Sequence, residues 1–370
     1  MSRRYRAQNQ NRDMMKPVDK MDKDGNVLAV CSQPPLHRRT TGNGVPLIKK
    51  GAINFYMNMP CPLKVACKMA IGEFAALYNA SHETPIYSPM LLDGDTKGIE
   101  GELKAAMSED ELPEVLVASG LHTVMAKGFR ERFIESGIYE GVTSQAALAR
   151  MPESYRKLVT EHNIGLFSTG FWSVVCDLSL ETIVPYPRRW TDLVDPLYKD
   201  LITVHGYNGK ASIAALLLLL REQLGSRAVT DFAGNIRNIW HFAEILKRID
   251  SAEPRRTLFN LLPNAATVQM PSKKRAAILE FEDGPVLAPM LMYVKRSRKE
   301  ECQPLVNFMH SNVIRQALRR GDFHLADEFD WTQPFSFPSW EFLLQNDYET
   351  LSAALDVELK KGLREDVSSS

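Results

Sequence analysis

Apolar and polar residues follow two different periods in the first part of the patterned sequence. Residues 52–59 alternate as a half-buried strand does, and over 63–78 the apolar residues recur at helical spacing. The same order returns in a buried strand at 114–120 and an amphipathic helix at 123–136. Because strands and helices alternate over short connections, this part predicts a parallel sheet with crossover helices. The pattern also predicts a strand at 84–91 and a helix at 99–107.

The rest of the chain mixes the same two patterns. Residues 228–249 indicate a largely helical stretch, and 266–270 indicate a strand. The other predicted elements are an extended segment at 164–176, short helical turns at 190–198, strands at 201–204 and 286–294, and helices at 211–224, 302–311, 313–318 and 347–363.

Composition is typical of a globular protein of roughly two domains. Hydrophobic residues make up 44% of the 370 positions, and Lys plus Arg equals Asp plus Glu at 45 each. A balanced charge gives no overall field to attract nucleic acid or an anionic membrane. The longest apolar run, 214–220, is too short to span a bilayer. We therefore expect a small-molecule partner, with neither nucleic-acid binding nor membrane insertion.

Residues 1–48 are polar, charged and rich in Pro and Gly, which predicts a flexible arm that could bind a partner protein. The pair Arg3-Arg4 is followed by acidic residues instead of the apolar stretch of an export signal. The five cysteines are odd in number and irregular in spacing, which favours a reducing compartment over a disulfide framework. From these features we expect a cytoplasmic protein.

Several segments resemble one family in the correct order. Residues 189–202 read Arg-Trp-Thr-Asp-Leu-Val-Asp-Pro-Leu-Tyr-Lys-Asp-Leu-Ile. This stretch resembles the "W-x-D-L-x-D-P-x-Y" passage of the iron- and oxyanion-type extracellular solute-binding proteins of ABC transporters. Further segments that resemble this family lie at 170–175, 283–295, 303–311, 338–342 and 346–347.

The resemblance implies a two-lobed α/β fold of the type II periplasmic-binding class. Each lobe would be a mixed or parallel sheet flanked by helices, with the ligand cleft between the lobes. The expected domains are the arm at 1–48, lobe 1 at 49–168 plus 285–320, lobe 2 at 169–284, and a C-terminal helical segment at 321–370 that packs on the lobes.

One departure from the family concerns iron. Iron-binding members use an adjacent pair of tyrosines as ligands, and the comparable stretch 235–242 offers Trp240-His241 instead. We therefore do not expect ferric iron held by phenolates.

A cleft between two α/β lobes places strand ends and helix N-termini against the ligand, and helix N-termini favour anions. The expected ligand contacts are Asn58, Cys61, Ser88, Ser119, Gly120, His122 and Thr123 in lobe 1, Ser168, Thr169 and Trp172 near the crossover, and Tyr207, Asn208, Gly209, Lys210, Trp240 and His241 in lobe 2. For the residues weighed one by one, helix capping or plain packing is the alternative.

The stretch 205–212 joins a predicted strand to a predicted helix and is rich in Gly and hydroxyl groups. Val204 stands where a nucleotide-binding Walker loop requires glycine, which argues against nucleotide hydrolysis. Backbone N–H groups of such a loop can still cradle an anion.

Metal chemistry has three candidate residues, Cys61, His122 and His241. No C-x2-C pair supports zinc. No cofactor is implied, although a metal ion or metal complex could itself be the ligand.

Three functions fit these observations. The first is a binding protein that clamps a small polar or anionic ligand, or a metal complex, as an intracellular carrier or sensor. The second is a cytoplasmic enzyme on the same fold, in which Cys61 with His122 or His241 would be the reactive set. The third is an ABC-importer receptor whose leader is missing.

Overall fold

The computed structural model describes residues 45–60, 63–92, 98–180, 183–207, 209–249, 251–267, 270 and 275–368. Most of the predicted arm lies outside the described residues, and so do two predicted ligand contacts, Cys61 and Asn208. Near the start of the described chain Leu47 is buried, and the carbonyl oxygen of Pro46 accepts a hydrogen bond from the Tyr87 hydroxyl.

The strands of the described residues pair in one mixed sheet. They are β1 (Ile53–Met57), β2 (Ile86–Tyr87), β3 (Val115–Ser119), β4 (Tyr139–Gly141), β5 (Leu166–Asp177), β6 (Ile202–Tyr207), β7 (Lys210–Ala211), β8 (Ile236–Trp240), β9 (Phe259–Pro263), β10 (Ala276–Ile278), β11 (Val286–Lys295) and β12 (His324–Leu325).

Helices flank this sheet, and among those described none combines the length and apolar character needed to cross a membrane. They are α1 (Lys64–Asn79), α2 (Ile99–Ala105), α3 (Lys127–Phe129), α4 (Gln145–Arg150), α5 (Glu153–Glu161), α6 (Ala214–Leu224), α7 (Ser226–Gly234), α8 (Phe242–Arg248), α9 (Asn264–Thr267), α10 (Lys299–Met309), α11 (Asn312–Arg319), α12 (Trp340–Gln345), α13 (Tyr348–Gly362) and α14 (Glu365–Ser368).

Local sequence explains where several helices begin and end. The side chains of Ser144, Ser339 and Asp347 accept hydrogen bonds from backbone N–H groups in the first turns of α4, α12 and α13. Gly225 follows α6 with a φ of 84°, a conformation that glycine adopts without steric cost. These signals are local, which is why the sequence pattern locates most helices well.

Two long antiparallel strands, β5 and β11, run through the middle of the sheet. On the β11 side lie β1, β2, β3 and β4, which we call lobe 1 with their helices. On the β5 side lie β6, β7, β8 and β9, with β10 beside the far half of β5; we call these strands and their helices lobe 2. The exact domain boundaries expected from the sequence stay a prediction.

The register shows that the strand ends of the two lobes point toward each other. Met290 of β11 pairs with both Ser119, the last residue of β3, and Ser168 of β5. Pro263, the last residue of β9, pairs with Trp172 of β5. Since β3 and β9 run in opposite directions, their carboxyl ends approach the middle of β5 from opposite sides. The end of β3 is level with Ser168 of β5 and the end of β9 is level with Trp172. These two positions are four residues apart along β5, about 13 Å at ~3.3 Å per residue.

The C-terminal helices connect to both lobes. In lobe 1 the Arg130 guanidinium donates to the carbonyl oxygens of Leu343 and Leu344 at 3.4 and 2.9 Å. In lobe 2 the Glu358 carboxylate of α13 pairs with Arg221 of α6. The C-terminal segment therefore packs against elements of both strand groups.

Two predicted elements were wrong. The stretch 228–249 is interrupted by strand β8, so Trp240 ends a strand and His241 caps α8. The strand predicted at 266–270 lies too late in the sequence, because β9 ends at Pro263 and Ala266 lies in the single turn α9.

Candidate functional site

Lobe 1 forms one wall of the candidate site at the ends of β1 and β3. Asn58, Ser119, Gly120, His122 and Thr123 line a shared cleft. That these five residues contact a ligand, as expected from the sequence, stays a prediction. Gly120 has a φ of 78° and its N–H donates to the Pro289 carbonyl oxygen at 3.3 Å. A side chain at this position would be strained, so glycine lets the chain turn sharply at the cleft.

Glu100 of α2 and Tyr56 of β1 complete this wall. The amide of Asn58 donates a hydrogen bond to the Glu100 carboxylate. Burial, with a further contribution from Glu100, raises the pKa of the Tyr56 hydroxyl to about 12, so Tyr56 is a neutral hydrogen-bonding group. Desolvation by the surrounding protein, followed by nearby Lys104, lowers the pKa of His122. The wall therefore combines neutral polar groups with one carboxylate.

In lobe 2 the candidate contacts lie at the ends of β6 and β8, and we call this region the second wall. His241 Nε2 lies 3.0 Å from the Tyr207 hydroxyl oxygen, and His241 Nδ1 accepts from the Ala243 N–H at 3.4 Å. Because Nδ1 accepts, the proton of neutral His241 lies on Nε2 and is donated to Tyr207. Burial lowers the pKa of His241, which favours this neutral form.

His205 and Trp172 extend the second wall toward β5. The His205 ring lies 5.5 Å from the His241 ring and 6.2 Å from the Trp172 ring, measured between centroids. We call Trp172, His205, Tyr207 and His241 the aromatic cluster. It presents ring faces and neutral donors, a surface suited to a planar or polar solute.

Three other predicted residues lie away from these walls. Ser168 and Thr169 are 0% and 1% exposed in the middle of β5, between β11 and β12, so they pack within the sheet. Ser88 is buried after β2, and its hydroxyl has no hydrogen-bond partner among the described residues. The buried positions of Ser168 and Thr169 match the packing alternative that the sequence left open for the crossover strand.

Within 205–212, strands β6 and β7 pair antiparallel, and β7 does not lead directly into a helix. Tyr207 pairs with Lys210 across β6 and β7, and Gly209 has a φ of 70°. At Gly206 a Cβ atom would lie 2.2 Å from the Lys210 carbonyl oxygen, so the close strand approach requires glycine. Lys210 is exposed at the edge of the second wall, and α6 begins only at Ala214.

Trp240 serves the packing of lobe 2. The Arg248 guanidinium lies over its ring, 4.3 Å from the centroid. The ring also packs against the small core that contains Val175, Phe242 and Leu262. This placement matches the packing alternative for Trp240.

The metal candidates are not brought together. His122 follows β3 in lobe 1, whereas His241 follows β8 in lobe 2. Within the described ranges no group of three or more His, Cys, Asp and Glu side chains is arranged to hold a metal ion. Cys61 lies outside those ranges.

Sequence reasoning missed Tyr56, Glu100 and His205. Tyr56 and His205 each precede a predicted contact by two positions, and residues two apart in a strand share a face. The strand period therefore contained a signal for both. Glu100 comes from a helix that tertiary packing brings to the cleft, and no local pattern indicates it.

The family comparison matches residues 110–346 to the bacterial extracellular solute-binding proteins. This range is more than half of the chain and includes the ends of β3, β6, β8 and β9. A comparison with curated proteins found no match.

Solved structures of ferric-binding proteins share the fold. The apo ferric ion-binding protein A of Pasteurella haemolytica is similar with a TM-score of 0.59 at 14% identity, over 85% of this chain and 99% of that chain. The ferric-binding protein of Campylobacter jejuni has a TM-score of 0.58 at 11% identity, over 84% and 99%. A Trichodesmium protein in complex with iron and citrate has a TM-score of 0.52 at 13% identity, over 80% and 96%.

The mixed sheet with two long central strands, and the structural similarity to ferric-binding proteins over 84% to 85% of this chain, agree with the family match. The chain therefore has the type II periplasmic-binding fold and belongs to the bacterial extracellular solute-binding protein family.

Proposed function

We propose that this protein captures a small polar or anionic solute, free or as a metal complex, between the walls of lobes 1 and 2. The observation that carries the proposal is the opposition of strand ends across β5. One wall brings Asn58, Ser119 and Gly120, and the other brings Tyr207 and His241. Closure would be a rotation of the lobes about β5 and β11.

The neutral groups of the two walls suit a solute that is recognised by hydrogen bonds. Tyr56 and His205 are held uncharged at neutral pH, and Asn58 contributes an amide. Buried hydrogen bonds of this kind discriminate well because an unmatched partner leaves them unpaired. The Trichodesmium relative was solved with iron and citrate, so citrate and ferric citrate are suitable first probes.

Titration calorimetry with citrate, ferric citrate and inorganic phosphate tests the proposal. We expect Asn58→Ala in lobe 1 and Tyr207→Phe in lobe 2 each to weaken binding of the accepted probe about tenfold, the effect of one lost hydrogen bond of ~1.4 kcal/mol. Trp240→Phe is the matched control, because Trp240 ends the neighbouring strand but stacks under Arg248. We expect it to bind as the wild type does.

Loss of binding in a variant of one lobe alone would contradict the clamp, since it would indicate a surface site on that lobe. An intracellular carrier or sensor role, as expected from the sequence, stays a prediction beside delivery to a membrane importer. Fractionation of the native cells distinguishes the two by the compartment in which the protein is found. The enzyme hypothesis and a partner for the N-terminal arm also stay predictions, because Cys61 and residues 1–44 lie outside the described residues.

A further inference from the structure

The short loop 320–323, between α11 and β12, lies beside the part of β5 that connects the two lobes. Strand β12 pairs with Ser168 and Thr169 of β5, and β9 pairs with β5 from Trp172 onward. Strand β11 pairs with β5 over residues 166–172, along the edge of β5 opposite to β12 and β9. Strands β12 and β9 therefore follow each other along a single edge of β5. Between them along β5 lie Gly170 and Phe171. The loop before β12 therefore sits where β5 passes from lobe 1 to lobe 2.

This loop is anchored to lobe 1. The N–H of Phe323 in the loop donates to the Leu318 carbonyl oxygen of α11 at 3.0 Å. Just after β12, the Asp327 carboxylate accepts two hydrogen bonds of 3.0 Å each from Arg315 of α11. Helix α11 itself packs on α1 of lobe 1. The loop and lobe 1 are thus expected to move together.

A series of side-chain hydrogen bonds connects the loop to lobe 2. The Asn264 amide, directly after β9, donates to the Asp322 carboxylate. The Ser173 hydroxyl donates to the side-chain oxygen Oδ1 of Asn264 at 2.6 Å and fixes which way this amide faces. His324 Nε2 lies 3.4 Å from the other Asp322 oxygen. A rotation of the lobes about the middle of β5 must change the distance between Asn264 and Asp322.

The backbone at the crossing point is specialised for this contact. Asp322 has a φ of 53°, a left-handed conformation that Asp and Asn tolerate better than most residues. A Cβ atom at Gly170 would lie 2.7 Å from the Phe323 ring, so only glycine lets this ring pack directly on β5. Phe323 of the loop therefore packs on β5 at Gly170, while Asp322 accepts a hydrogen bond from Asn264 of lobe 2.

We propose that Ser173, Asn264 and Asp322 form a hinge latch, which stabilises the arrangement of the lobes seen in this structure. The latch goes beyond solute binding, because it sets the balance between lobe arrangements before any solute is present. Breaking it shifts that balance by about tenfold or more, the usual effect of one hydrogen bond to a charged group.

Pulsed electron paramagnetic resonance on the solute-free full chain tests the latch. Spin labels introduced through noncanonical amino acids at Leu77 of α1 and Arg227 of α7 report the distance between the lobes and leave the native cysteines unmodified. Both side chains are exposed, at 75% and 90%. We compare the wild type with Asn264→Asp, which places two carboxylates against each other.

We expect Asn264→Asp to shift or broaden the distance distribution. The double variant Asn264→Asp with Asp322→Asn restores it, because the new amide at 322 donates to the new carboxylate at 264 and Ser173 still donates. Ser173→Ala gives a smaller shift in the same direction without adding charge. Asp330→Asn is the control, since Asp330 is an exposed carboxylate that binds Thr332 and Gln333 within its own loop.

A wild-type distribution in Asn264→Asp, in protein whose circular dichroism shows the native fold, would overturn the latch. Failure of the double variant to restore the distribution would overturn it as well, because the effect would then not depend on this hydrogen bond. If Asn264→Asp does not fold, Ser173→Ala and the double variant decide the question. Since no solute is used, failure of the latch is distinguishable from failure of the proposed binding function.

Discussion

Burial keeps His205 neutral, and the hydrogen bond that its ring accepts is compatible with this form. Its Nδ1 lies 3.1 Å from the Phe242 N–H and 3.4 Å from the Trp240 carbonyl oxygen. One nitrogen cannot accept from the first and donate to the second at once, and the shorter bond fixes Nδ1 as the acceptor. Burial, followed by the nearby His241, lowers the pKa of His205 to about 4. The imidazole therefore supports the turn that carries His241 without adding charge.

Acid should destabilise the protein through this residue. Because the pKa of His205 lies below its unfolded value of about 6.5, its contribution to stability is complete above pH ~6.5 and is lost as pH falls toward 4. In His205→Asn, the side-chain oxygen can still accept from Phe242 but does not titrate. We expect the free energy of unfolding to fall about 2 to 3 kcal/mol less in this variant than in the wild type between pH 7 and pH 4.5.

Urea unfolding at several pH values measures this difference. The other titrating groups are common to both proteins, so their contributions cancel in the comparison. Parallel pH profiles for the two proteins would show that His205 is not held neutral in the fold.

At the scale of elements, the sequence pattern located those whose apolar spacing is unambiguous. Helix α1 and strands β1, β3 and β11 lie where the pattern predicts them. Strand β8 was missed because Ile236 and Ile239 are three apart, a spacing that also suits a helix. What makes this stretch a strand is distant: Asn235 donates to the Leu193 carbonyl oxygen at 2.9 Å and Asn238 to the Thr203 hydroxyl at 3.0 Å. A local pattern cannot contain such partners.

The contact between α13 and α7 depends on a glycine. A Cβ atom at Gly362 would lie 2.1 Å from the Thr230 carbonyl oxygen of α7, whereas at Gly101 in α2 it would meet nothing within 4 Å. We expect Gly362→Ala to destabilise the protein by about 1 to 3 kcal/mol through overpacking. The matched control Gly101→Ala should stabilise it by about 0.5 to 1 kcal/mol, because alanine favours a helix over glycine.

Thermal and urea unfolding of these two variants give the comparison. We expect the change in the free energy of unfolding to have opposite signs in the two variants, a loss of stability in Gly362→Ala and a gain in Gly101→Ala. A Gly362→Ala protein as stable as the wild type would mean that α13 does not lie against α7 as described.

At the scale of the whole molecule, the family resemblance and the two-lobed fold could be predicted from the sequence. The ordered set of motifs, anchored by Trp190 to Tyr198, carried the resemblance. The strand ends then indicated Asn58, Ser119, Gly120 and Tyr207, because parallel strands of an α/β sheet end at the ligand. Glu100 could not be predicted, since tertiary packing brings its helix α2 to the cleft. The contact between Asn264 and Asp322 could not be predicted either, since it depends on the register of strands far apart in sequence.

Native mass spectrometry of the freshly purified full chain, with metal analysis of the same sample, tests the central claim most directly. We predict a bound small mass whose occupancy falls both in Asn58→Ala and in Tyr207→Phe and stays at the wild-type level in Trp240→Phe. Wild-type occupancy in both Asn58→Ala and Tyr207→Phe would contradict a solute held between the two lobes. A mass equal to that of the bare chain, together with no binding of the calorimetric probes, would contradict solute capture itself.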